Sequence, residues 1–214
     1  MNFKNILITD AIFEAVTSQQ AADQLREDIG NASLWSLKLP AARQAVEQDL
    51  ICVKLTQAVY ELQMNSWFTD DFGSPVIITQ YPNAYGYITF PACPLVNIVS
   101  VKYDDNLGVE QTLSTSAYTV DTASMPGRLR WTGNITLPGL SVKENAVRIR
   151  YTAGYGAVAA ADGGQSAVPY PLKEAVLMRL ADLYENRQNG MVINGRWEQN
   201  PTYWSLVSPW RIPC

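Results

Sequence analysis

Three short stretches carry the residue types and spacings that chemistry uses. Gly154-Tyr155-Gly156 follows a strand-like run and opens as a dinucleotide fingerprint would, with glycines that let backbone approach a pyrophosphate. Ala159 stands where the third glycine belongs, and no helix pattern follows directly, so a glycine bend leaving a strand is the expectation. Asp104-Asp105-Asn106-Leu107-Gly108 groups acids with a glycine as a calcium loop does, but lacks alternate acidic spacing and a closing Glu. It reads as a hairpin turn. Asp70-Asp71, beside Trp67 and Phe68, supplies the paired carboxylates of glycoside hydrolysis, yet adjacent side chains diverge and no second cluster answers them.

Histidine is absent, which removes Ser-His-Asp and Cys-His catalysis, imidazole metal sites and a histidine pH switch. Cys52, Cys93 and Cys214 form no CxxC pair, and reduced thiols are expected. With 16 Lys+Arg against 20 Asp+Glu there is no basic field to grip nucleic acid by counterion release. No catalytic residue, cofactor or metal ligand is therefore assigned. The opening MNFKNILITD lacks the basic and apolar regions of a signal peptide, and the sequons at Asn31 and Asn134 read as chance. The uncharged run 72–101 is long enough to suggest a membrane span, but Pro75, Pro82, Pro91 and Pro94 break any such helix, so no membrane contact is expected.

The elements that must carry these residues follow from periodicity. The 214 residues are 47% hydrophobic and 17% charged, the composition of a globular chain that buries roughly 70% of its unfolded surface. Ala21, Ala22, Leu25 and Ile29 recur at helical spacing behind a Thr17 or Ser18 cap, predicting a helix over 18–29 ended by Gly30-Asn31. A second helix over 40–50 begins with Pro40 in its first turn and carries Ala41, Ala42, Ala45, Val46 and Leu50 on one thin face, with Arg43, Gln44, Glu47 and Gln48 opposite. From 53 to 152 the period becomes two. Val59–Met64 opens a run of strands, followed by candidates at 76–81, 86–90, 95–103, 109–113, 117–121, 127–131 and 146–152. A third helix over 171–187, behind Pro169 and Pro171, places Leu172, Ala175, Val176, Leu180 and Leu183 inward and Lys173, Glu174, Arg179, Asp182 and Glu185 outward.

The fold class is thus α+β: a small helical bundle of three helices with an inserted antiparallel β-sheet or sandwich. Residues 1–187 form one domain. Residues 188–214 show neither helical nor alternating period, yet hold Trp197, Tyr203, Trp204, Trp210 and Arg211, types that dominate interface energetics. They read either as an extended aromatic arm or as a segment packed back on its own domain.

The succession of segments resembles the head-tail connector (adaptor) proteins of tailed bacteriophages. The early helix is followed by Ala41-Ala42-Arg43-Gln44-Ala45-Val46-Glu47, similar to the family's alanine-rich amphipathic helix, and by Gln57-Ala58-Val59-Tyr60-Glu61-Leu62, similar to its first strand. Pro94–Tyr103 with the acidic turn and Gly108, then Tyr118–Asp121, Val147–Gly156 and the helix ending Leu183-Tyr184-Glu185-Asn186-Arg187 continue the order. Ser208-Pro209-Trp210-Arg211 looks like the family's terminal Pro-aromatic-Arg element.

The resemblance implies a non-enzymatic virion protein at the neck, assembled in the host cytoplasm as a ring, usually of twelve copies. Such a ring sits between portal and tail and lets DNA through its channel without sequence-specific binding. On this reading Trp197, Tyr203, Trp204, Trp210 and Arg211 meet the portal. Ring closure falls to Ala41, Ala42, Ala45, Val46, Val99 and Val101, residues that serve equally well as subunit core. Arg43, Arg128, Arg130, Arg148 and Arg150 are candidates for local DNA contacts, with the solvent-facing register of a strand as the plainer account of the last two. Two other classes remain open: a carbohydrate-binding or adhesion β-domain with Trp67, Tyr81, Tyr85 and Tyr87 as a stacking platform, and a hydrolase using Asp70 and Asp71.

Overall fold

The computed structural model describes residues 3–11, 13–27, 32–67, 87–132, 136–156, 168–185 and 200–212. The chain divides into two units, one built from Met1–Asp10 and Ala58–Gly154, the other from Ala11–Gln57 and Tyr155–Pro213.

The first unit is antiparallel β. Its larger sheet has the order β1-β2-β8-β4-β5, formed by β1 (Phe3–Thr9), β2 (Ala58–Met64), β8 (Val147–Ala153), β4 (Leu95–Asp104) and β5 (Glu110–Thr112). Its smaller sheet has the order β3-β7-β6, from β3 (Tyr87–Thr89), β7 (Arg128–Trp131) and β6 (Tyr118–Asp121). Alternation sorts each strand's faces. In β8, Val147, Ile149, Tyr151 and Ala153 are buried while Arg148, Arg150 and Thr152 point away. Facing side chains of the two sheets close one core, with the Phe90 and Tyr151 rings 4.6 Å apart and Trp67 edge-on to Trp131 at 5.3 Å. Two irregularities in β4, after Leu95 and after Ile98, turn Val96 and Val99 out to solvent.

The predicted strands at 86–90, 95–103, 109–113, 117–121, 127–131 and 146–152 each match an observed strand to within one residue at either end; the one at 76–81 lies outside the described residues. β1 is an addition: the opening MNFKNILITD shows no signal peptide, and its periodicity assigns it no element.

The second unit is helical. In α1 (Ser18–Leu25), Thr17 and Gln20 form a reciprocal capping box, and Arg26 ends the helix at φ 54°. The predicted stop at Gly30 is four residues too late. α2 (Ala32–Leu50) begins well before the expected Pro40, which lies inside it. Trp35, Leu39, Ala42, Val46 and Leu50 form one buried stripe, and its packing outweighs the backbone hydrogen bond that Pro40 cannot donate. α3 (Tyr170–Glu185) buries Leu172, Ala175, Val176 and Leu180 as expected. Lys173 departs from the expectation: it is buried, with its ammonium 5.3 Å from the Tyr170 ring centroid.

The C-terminal segment is not extended. α4 (Pro201–Val207) packs on α3 and α2, and a 3-10 turn (Ser208–Trp210) continues from it. The expectation of reduced thiols holds for Cys93, which is buried and outside any disulfide, but not for Cys52, which is disulfide-bonded. No helix among the described residues is long and apolar enough to cross a membrane.

Candidate functional site

The aromatic C-terminal residues are positioned by a cap and a carboxylate. Asn200 accepts the Thr202 backbone N–H at 3.0 Å, and Pro201 fills the first turn, where its missing N–H costs nothing. α4 then turns Tyr203 and Val207 inward. The Tyr203 hydroxyl donates to Asp49 Oδ2 at 2.5 Å, and Arg179 Nη2 donates to the same oxygen at 3.0 Å. The Arg179 guanidinium also sits 5.1 Å from the Tyr203 ring centroid. Burial first, and the Asp49 carboxylate second, push the Tyr203 phenol well above its ordinary range. Arg211 Nε donates to the Asp49 carbonyl at 3.0 Å, the Ile212 N–H reaches the Leu50 carbonyl at 3.4 Å, and Ile51 and Ile212 form a parallel bridge.

Of the five expected partner-binding residues, Tyr203 is thus buried within its own unit. Arg211 spends its Nε on a carbonyl of its own chain and lies 5.7 Å from the Trp204 ring centroid. Trp204 and Trp210 are half-buried and Pro209 is exposed; Trp197 lies outside the described residues. The residues proposed for ring closure also divide. Ala42, Val46 and Val101 are fully buried in their own units, because stripe and alternation serve the subunit core first. Ala41 and Val99 are exposed and Ala45 is half-buried.

The acidic turn is a hairpin loop joining β4 to β5, and its carboxylates are engaged. Asp105 Oδ1 accepts the Leu107 and Val109 N–H groups at 2.9 and 3.0 Å, and Oδ2 accepts Gln111 Nε2 at 3.1 Å. Gly108 supplies φ +78°. Arg148 binds Asp104 through both terminal nitrogens, at 2.7 and 2.9 Å, and Lys143 reaches the same carboxylate at 2.7 Å. Hydrogen bonds from Arg148 and Lys143 hold the Asp104 carboxyl well below the usual range. Glu110 links Arg148 at 2.9 Å to Lys102 at 2.6 Å.

Three other arginines considered for DNA contact, Arg43, Arg150 and Arg128, are also engaged. Arg43, almost fully buried, bonds Glu14 at 2.8 Å and Glu47 at 3.3 Å, while Glu47 accepts the Leu55 N–H at 2.9 Å. Burial works against the Arg43 charge, but Glu47 and Glu14 outweigh it and raise its pKa. Arg150 pairs with Glu61 at 3.0 Å, and Arg128 stacks 4.7 Å from the Tyr87 ring centroid. The stacking platform loses Trp67, which is buried with Nε1 donating to the Pro138 carbonyl at 2.8 Å. Tyr87 is exposed; Tyr81, Tyr85, Asp70 and Asp71 lie outside the described residues. At the glycine pair, Gly154 takes φ +110° and donates its N–H to Pro94 O, the geometry of a strand exit.

No family model matches the chain, and no curated protein matches it by sequence. Its fold is shared by chains in solved structures of gene transfer agent (GTA) particles. A chain in the neck of an empty GTA particle, computed with C6 symmetry, has TM-score 0.68 and 23% identity, covering 99% of this chain and 96% of that one. A chain in the neck of the native GTA particle, computed with C12 symmetry, has TM-score 0.66 and 21% identity, with 97% of each chain covered. A chain of the virion of the native gene transfer agent particle has TM-score 0.69 and 22% identity, covering 98% of this chain and 96% of that one. At these identities the likeness defines the fold, an α+β fold of the kind found in necks of phage-like particles.

Proposed function

We propose that this chain is a structural neck protein of a tailed phage or phage-like particle. It assembles into a ring between portal and tail as a head-tail connector and leaves a channel for DNA. The observation that supports this best is fold similarity over nearly the whole chain to neck chains from particles computed with C6 and C12 symmetry. The order of sequence segments points to the same family. Such a role needs no catalytic step and no cofactor. Twelve copies at −4 each carry a formal charge of −48, a field that repels DNA phosphates and favours passage over retention.

The portal contact is made by the aromatic surface of the docked C-terminal segment, which carries half-buried Trp204 and Trp210 and exposed Pro209. Half-burial suits an anchor, because one face of each ring fixes the side chain while the other is left to desolvate against a partner. The test is electron microscopy of virion necks with this chain labelled. A closed collar of the labelled chain between head and tail is expected; particles that join heads to tails without it overturn the proposal.

A further inference from the structure

The larger sheet has two edges, β1 on one side and β5 on the other, and among the described residues neither edge is paired to a further strand. Natural sheets blunt such edges with prolines, charges or cover. β1 is poorly blunted: its seven residues contain no proline and one charge, Lys4, and they expose Leu7 at 47% and Ile8 at 42%. The opposite edge ends in the β4-β5 hairpin, where Leu107 is 88% and Val109 53% exposed.

That hairpin tip is held in shape without a partner. Asp105 fixes the backbone of Leu107 and Val109 through its carboxylate, its own N–H donates to Val109 O at 3.0 Å, and Gly108 donates to Asp105 O at 2.8 Å. The Asp104, Arg148, Lys143, Glu110 and Lys102 ion pairs brace its base. Two exposed apolar side chains on a rigid tip lose little conformational entropy on docking.

The two edges also match in charge. Lys4 lies opposite Gln63, Gln63 opposite Arg148, Arg148 opposite Lys102 and Lys102 opposite Thr112, so one row runs from β1 to β5 along the outer face. Glu110, two residues from Thr112, stands on that same face. A β5 edge brought beside the β1 edge of another copy places an anion and a cation on one face, with apolar groups on both sides of the joint.

Resting on the ring proposed above, we infer that its lateral contact is edge to edge: the hairpin tip and β5 of one copy dock against β1 of the next. The contact is heterologous, using two different patches on opposite sides of one sheet, as a closed ring of identical copies requires.

Two variants separate the patches: Leu7→Asp with Ile8→Asp spoils one edge, and Leu107→Asp with Val109→Asp spoils the other. All four side chains are exposed, and circular dichroism and melting temperature verify that each variant folds. Assembly is followed by sedimentation and electron microscopy, with the protein alone and with portal-bearing particles. Wild type is expected to form rings, each variant alone to remain monomeric, and an equimolar mixture to stop at dimers, since one intact joint remains per pair. As a measurement independent of assembly yield, Leu7→Cys combined with Val109→Cys should give a ladder of multiples with a short bis-maleimide, and either substitution alone should give none. Rings formed by either edge variant, or no ladder from rings of the doubly substituted chain, overturn this contact and leave the ring standing. Wild type that remains monomeric in every condition, including on particles, overturns the ring and the contact together.

Discussion

Removing one oxygen atom tests whether the C-terminal segment is docked as described. Tyr203→Phe keeps the ring beside the Arg179 guanidinium and deletes the 2.5 Å hydrogen bond to Asp49. Asp49 retains Arg179 at 3.0 Å, so the carboxylate is not orphaned and the loss is that of one hydrogen bond to a charged acceptor, about 2 kcal/mol. For a chain of this length that lowers the melting temperature by about 4–8 °C. Tyr203→Ala also removes a buried ring and costs about 4 kcal/mol. The pH dependence has a definite sign. The folded phenol is raised above its unfolded value, so its contribution is fully present below about pH 10 and is lost as pH climbs from there toward the folded value. Wild type should therefore lose stability on the alkaline side faster than Tyr203→Phe. Thermal melts from pH 7 to 11, with hydrogen exchange at the Trp204 amide, read both effects. If Tyr203→Phe melts with wild type and that amide exchanges as in a free peptide, the docked segment is refuted.

Three further outcomes follow from the same geometry. Asp104→Asn strips Arg148 and Lys143 of a buried partner and should cost about 3 kcal/mol at pH 7 by urea titration. Because the fold depresses the Asp104 pKa, its contribution is complete above about pH 4 and declines as pH falls below that, so the variant's acid limb should be flatter than wild type's. Gly127→Ala would put a Cβ 2.3 Å from Leu95 Cβ and should cost about 3 kcal/mol, whereas Gly108→Ala meets no atom within 4 Å and pays only for φ +78°, about 1 kcal/mol; equal melting temperatures for the two would contradict this. Trp210→Ala should weaken portal binding at least tenfold in a pull-down or titration while the melting temperature stays within about 2 °C of wild type, and unchanged binding removes Trp210 from the contact.

How far the sequence reached depended on whether a pattern was local. The β region was legible because alternation in segments such as Val147–Ala153 is written residue by residue and survives in the burial of each strand. α2 was legible only in its second half. Pro40 reads locally as a start, and the stripe from Trp35 to Leu50 that carries the helix through it is satisfied only by tertiary packing. α4 had a readable signal, the Asn200-Pro201 cap and first turn, obscured by the density of tryptophan and proline around it. Asp49 was missed for another reason: nothing in the sequence says that Tyr203, Arg179 and Arg211 converge on one residue at the end of a helix 130 to 162 positions away. The edge positions of β1 and β5 were equally illegible, because pairing order is a property of the sheet and not of any strand.

The arginine pattern bears most directly on passage of DNA. A channel that held DNA would need cations left over after folding, since each phosphate contact contributes affinity through counterion release. Here Arg43 is committed to Glu14 and Glu47, Arg148 to Asp104 and Glu110, Arg150 to Glu61 and Arg179 to Asp49, in each case to a carboxylate within the same unit. A guanidinium already bonded to a carboxylate must give up that pair to take a phosphate, and the uncovered carboxylate then repels the same phosphate. Internal pairing thus works with the net charge of −4 to lower the chain's affinity for a polyanion below what its count of arginines suggests. A neck ring benefits from that combination. In the ring proposed above, these arginines are occupied with folding rather than with the passing strand.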